Sequence, residues 1–162
     1  MKQGRIDAAR TVGEAETPTA RVLWRDTFVA LLPPRHRLAQ RGRSSITLHD
    51  LDGEALVLRS ICEMKTGALR SAFLSIHVAA RAVRDDLALR LIVQGVGVAI
   101  APRSLATDEV VAMPVQGLEL ERSIGLRWRA QCPEMLRAPV FEVFRALPCV
   151  AVQATLRNQT CI

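Results

Sequence analysis

The stretch RSICEMKT, residues 59–66, gathers side chains suited to holding an anion. Arg59 and Lys65 bring cations, Ser60 and Thr66 bring hydroxyl donors, and Ile61 and Cys62 stand between them with an apolar surface and a thiol. It follows the run Ala55–Leu58, which reads as a buried strand, and precedes TGALRSAFLSIH, where Leu69, Phe73 and Ile76 fall on one face of a helix. A strand-to-helix connection presents backbone N–H groups, so a carboxylate or another anionic small molecule suits it. Arg84 and Asp85 follow a second predicted strand, Val78–Val83. In α/β folds ligands sit at the carboxyl ends of strands, which places both segments at one candidate ligand site. A plainer reading stands beside it: Ser60 and Thr66 cap the helix that follows, and Asp85 caps the next one.

Other chemistry finds little support. The histidines, His36, His49 and His77, lie in no nucleophile motif such as G-x-S-x-G. His36 and His49 read as exposed turn residues and His77 as the end of a helix. Asp85 and Asp86 are adjacent, so their side chains diverge around a helix, and a first turn matched to the macrodipole explains them without a metal. No catalytic residue, metal or cofactor is expected, and the chain does not read as an enzyme. Cys62, Cys132, Cys149 and Cys161 are widely and irregularly spaced, which fits neither a zinc cluster nor a disulfide framework. The opening MKQGRIDAAR has no apolar core of signal-peptide length, and no run of about 18 apolar residues occurs, so cytoplasm is expected and a membrane is not.

At 162 residues, 49% of them apolar, the chain holds enough material for a real core. Its net charge of +6 comes from 22 basic residues interleaved with 16 acidic ones, which argues only weakly for nucleic acid. The densest basic cluster, RHRLAQRGR, holds Arg35, Arg37, Arg41 and Arg43 but no aromatic residue for stacking on bases. It reads as a solvated connection, and no DNA-binding residue is assigned.

The elements that position these residues alternate. RVLWRDTFVALLPP reads as a strand ended by Pro33 and Pro34, and SSITLHDLDGEALVLRS as a short turn capped near Thr47, a Gly53 turn and a strand. DDLALRLIVQG has acidic residues where a helix begins and Gly95 where a left-handed cap is wanted. VGVAIAP is apolar throughout, as a strand covered on both faces should be. PRSLA reads as a helical turn, EVVAMPV and RSIGLRWRA as strands, and LRAPVFEVFRAL as a closing helix interrupted at Pro139. Strands separated by helices predict an α/β class with a parallel or mixed sheet. The two glycines of QGVG do not form a dinucleotide loop, because G-x-G here follows a helix and precedes a strand.

LRLIVQGVGVAIAPRSLA, residues 89–106, resembles the helix–turn–strand signature of the effector-binding domain of LysR-type transcriptional regulators. GRIDAA, RHRLA, ITLHDLDGEALVL and RSIGLRWRA are similar to further segments of that domain in the same order, over roughly residues 4–147. Arg37 stands where the family's HPLA turn has a proline. The resemblance implies a periplasmic-binding-protein-like (type 2) fold with one nearly complete α/β subdomain, residues 21–123, and part of a second, residues 4–10 and 124–147. Residues 148–162 are expected to form a C-terminal tail. It also implies a small-molecule effector in the cleft, homo-oligomers, and DNA contacted only through a winged helix-turn-helix that this chain lacks.

Family members that sense peroxide carry a reactive cysteine in the loop of Cys62, paired with another a few residues on. Here the next cysteine is Cys132, which favours a packing or pocket thiol. Two alternatives to the sensing reading follow from the missing first half. One is a stand-alone ligand-binding or dimerisation module that modulates a full-length relative; the other is a truncated remnant without independent activity.

Overall fold

A computed structural model describes residues 7–13, 15–39, 42–59 and 77–146. The predicted helix around Leu69–Ile76 and the tail 148–162 lie outside them. Two compact units emerge, the first from residues 1–26 and 121–162 and the second from residues 27–120.

The second unit is built on two wholly apolar runs, residues 28–32 and 99–102. Strand β2 runs Ala20–Leu32 and ends at Pro33, and its last five residues are all buried. Alternate side chains leave a strand on opposite faces. Phe28, Ala30 and Leu32 accordingly join one core cluster with Leu38, Ile46, Leu51 and Leu56. Val29 and Leu31 join a second with Val57, Ala88 and Ile92. Strand β6, Ala99–Pro102, divides the same way, Ile100 to the first cluster and Ala99 and Ala101 to the second. A sheet covered on both faces explains why neither segment alternates polar with apolar residues.

Pairing is mixed. β2 is antiparallel to β6, with Phe28 opposite Pro102, and to β7, Val111–Met113. Strand β3, Ile46–Thr47, is parallel to β8, Val115–Gln116. Strand β4, Ala55–Arg59, is parallel to β5, His77–Ala82, and on its other side bridges in parallel to Val98. His77 therefore opens a strand, where the sequence reading had it close a helix; its partner in register is Ala55, a contact far away in the chain.

Helix α1, Asp85–Val93, begins and ends as its residues dictate. Asp85 and Asp86 occupy the first turn, and Ala88 and Ile92, one turn apart, are buried. At the other end Gly95 takes φ +76°, its N–H reaching the carbonyl of Ile92 at 2.8 Å while that of Val96 reaches Leu91 at 3.0 Å. This pair of bonds is a Schellman cap, and the left-handed residue it needs is most easily glycine.

The basic segment after β2 is tied down locally. His36 is half-buried, not the exposed turn residue expected: its Nε2 lies 3.3 Å from Glu54 and its Nδ1 accepts the N–H of Leu38 at 3.3 Å. Arg37 meets the other oxygen of Glu54 at 2.6 Å, and Arg43 approaches Asp50 at 3.5 Å. Asp50 also accepts the backbone N–H of Thr47 at 2.8 Å and its hydroxyl at 2.9 Å. These two bonds, with the charge of Arg43, hold the Asp50 carboxyl below the usual carboxylate range. A carboxylate more acidic in the folded state contributes stability above its unfolded pKa and loses it as the pH falls through its folded one. Asp50→Asn should therefore be less stable than the parent at neutral pH, by a gap that begins to shrink near about pH 4 and vanishes at lower pH. Urea titrations at several pH values measure it.

In the first unit β9, Glu121–Trp128, lies between β1, Ala8–Val12, and β2, with Ala8 opposite Trp128. Helix α2, Glu134–Ala146, packs Val140, Phe141 and Phe144 against a cluster of Leu126, Trp128 and Cys132. Pro139 does not interrupt it as expected. The helix runs on past it to Ala146, and the residue is exposed, so its ring crowds no packed neighbour.

Candidate functional site

Three of the eight residues proposed from sequence, Arg59, Arg84 and Asp85, lie among the described residues; Ser60, Ile61, Cys62, Lys65 and Thr66 fall outside them. β4 and β5 run parallel and end together, Arg59 opposite Ala82. Segment 60–66 therefore leaves from the carboxyl end of a parallel pair, where ligands bind in such sheets.

Arg59 and Asp85 are brought together. The Arg59 side chain is only 7% exposed and its Nε donates to Asp85 Oδ1 at 2.5 Å. The bond joins the last residue of β4 to the first of α1 across 26 positions of chain. A guanidinium carries five donors in a rigid fork, so engaging Nε with one carboxylate leaves the planar group able to address a second acceptor.

Arg84 is placed differently. It is the extended residue ahead of α1, and its Nε and Nη2 form a fork on Asp86 at 2.9 and 2.6 Å. That pair is exposed on the arginine side, and the hydrogen bond and charge of Asp86 raise the Arg84 pKa above its ordinary value. Arg84 thus fastens its own helix and does not join Arg59. Nor does Asp85 act as a side-chain cap, since the residue at the cap position is Arg84 and makes no such bond. Sequence reasoning missed Val83, which is 68% exposed immediately beyond β5 and offers an apolar surface beside these charges. The signal was an apolar residue continuing a strand pattern past the strand's end.

Among the described residues no group of three or more His, Cys, Asp or Glu could hold a metal ion, and no helix is long and apolar enough to cross a membrane.

A family model described as LysR substrate binding domain matches residues 1–147. This chain belongs to that family. It is an α/β, periplasmic-binding-protein-like domain, the effector-binding domain of LysR-type transcriptional regulators. The HTH-type transcriptional regulator CatR of Pseudomonas putida is 34% identical over 113 residues, which cover 65% of this chain and 38% of that protein. The LysR chain thus spans well under half the length of this curated relative.

Solved structures agree on the fold. HinK, a LysR family regulator from Pseudomonas aeruginosa, superposes with TM-score 0.68 at 20% identity, over 88% of this chain and 53% of that one. The reduced OxyR regulatory domain from the same organism gives 0.64 at 18% identity, over 88% and 73%. The CcmR regulatory domain of Synechocystis PCC6803, solved in complex with 2-PG, gives 0.64 at 16% identity, over 96% and 76%.

Proposed function

We propose that this LysR domain binds a small anionic effector, a carboxylate or phosphorylated acid, at the carboxyl ends of β4 and β5. The observation that supports the reading is the buried guanidinium of Arg59, held by Asp85 at the mouth of a parallel strand pair. A buried cation with donors to spare favours an anion where solvent screening is weak. Ser60, Ile61, Cys62, Lys65 and Thr66 follow directly in the chain and supply hydroxyls, a second cation and apolar surface, and Arg84 and Asp85 follow β5. The second unit, residues 27–120, carries this wall. The domain acts by binding alone, without catalysis, in the cytoplasm. Occupancy biases the arrangement of a homo-oligomer whose contact with DNA is made by a helix-turn-helix.

Thermal unfolding in the presence of 2-PG, benzoate and succinate tests this. A bound effector at one hundred times its Kd stabilises the fold by about 2.7 kcal/mol. Arg59→Met should abolish the stabilisation by the active anion, whereas Asp85→Asn, which releases the guanidinium, should retain or strengthen it. An unchanged melting curve with all three anions up to about 10 mM, far above a millimolar Kd, overturns the proposal. So does an undiminished response in Arg59→Met.

A further inference from the structure

The first unit contains a cleft of about 290 Å³ between α2 and the turn that leads into β2. Its lining includes Thr17, Arg21, Trp128, Glu134, Arg137 and Phe141, all from this unit. Trp128 forms an ordered floor: it is 5% exposed, its indole N–H donates to the carbonyl of Pro18 at 3.2 Å, and the Arg137 guanidinium lies over its ring at 5.8 Å. Arg137 is itself anchored, through Nε to the carbonyl of Cys132 at 3.1 Å and Nη2 to that of Ala130 at 3.3 Å. Its position is therefore built by the fold. Phe141 adds a second aromatic surface.

The charges around this floor are of both signs. Glu142 is taken by Arg145 at 2.9 Å. Among the described residues Arg21 and Glu134 are tied into no ion pair, although each borders the cleft. Glu134 stands three positions before Arg137 on α2, so a carboxylate neighbours the anchored cation, and Arg21, Trp128 and Phe141 complete the lining. A ligand complementary to all three features has a carboxylate, an ammonium group and a bulky apolar portion. The volume lies at the small end of ligand sites, which matches a single amino acid better than a peptide or a larger cofactor.

We infer that this cleft binds a free α-amino acid with an aromatic or large aliphatic side chain. Arg21 and Arg137 receive the carboxylate, Glu134 the ammonium group, and Trp128 and Phe141 the side chain. The site is separate from the one assigned to Arg59 and does not depend on it.

Calorimetry on the whole chain with L-phenylalanine tests the inference against two analogues, 3-phenylpropionate, which lacks the amine, and phenethylamine, which lacks the carboxylate. Each loses one charge-assisted contact and should bind about tenfold more weakly. Arg21→Met should cost L-phenylalanine a similar factor while leaving phenethylamine unaffected. Glu134→Gln should do the reverse, weakening phenethylamine but not 3-phenylpropionate. Both residues are exposed, so the melting temperatures of the two variants should stay at the parent value. Equal affinity for the three compounds, or affinity insensitive to both substitutions, overturns the inference. So does an absence of heat from L-phenylalanine, L-leucine and L-tryptophan up to about 10 mM.

Discussion

Gly97→Ala is expected to destabilise the second unit by about 3 kcal/mol, a large fraction of a domain's stability. A Cβ built at Gly97 would lie 2.3 Å from the carbonyl oxygen of Ala55 and 2.9 Å from its carbon. Both are backbone atoms, so no rotamer change relieves the clash. That oxygen is also engaged, accepting the Val98 N–H at 2.8 Å, while Val57 N–H donates to Val98 at 2.8 Å. Moving β4 away to admit a methyl group would lengthen these bonds and part a buried seam. Gly95→Ala is the matching control. Nothing lies within 4 Å of its Cβ position, and only the φ of +76° opposes the change, so about 1 kcal/mol is expected. Urea unfolding of the two variants should rank them in that order. Equal losses would show that the contact with Ala55 is not what requires glycine at position 97.

Arg122→Ala should cost a comparable amount, about 3 kcal/mol, because it strands a buried charge. Asp26 is buried, at 5% exposure. Its Oδ2 accepts Arg122 Nε at 3.0 Å and Nη2 at 2.9 Å, and the arginine side chain is itself 13% exposed. The two residues occupy the ends of the first unit where the chain leaves it on β2 and re-enters it on β9. The pair therefore fixes the relation of the two crossing segments within that unit. Removing both partners at once, as Asp26→Leu with Arg122→Met, should recover much of the loss, since apolar isosteres carry no desolvation penalty. A double-mutant cycle by chemical denaturation gives the coupling energy. A single Arg122→Ala variant as stable as the parent would mean that other partners of Asp26 carry its charge.

Much of the scaffold was legible because its signals are local. The acidic start and glycine end of α1 are properties of adjacent residues, and the helix forms where they place it. The apolar runs of β2 and β6 announced burial on both faces, and the two core clusters take alternate residues from each. Readings failed where a distant partner decided the outcome. His77 became a strand residue through its register with Ala55, and His36 was drawn inward by Glu54.

The candidate site divides along the same line. That Arg59 and Asp85 stand near the ends of successive strands was visible in the sequence, together with the family signature in residues 89–106. That they pair with each other, while Arg84 turns to Asp86, was not. Residue type and spacing by themselves determined the α/β class and the limits of α1, because propensity, capping and periodicity act over a few residues. Only the tertiary structure decided which strands run parallel, which cations are already committed, and that Trp128, Arg21 and Glu134 border one cleft. Those outcomes depend on contacts between segments tens to more than a hundred residues apart, whose meeting no local pattern encodes.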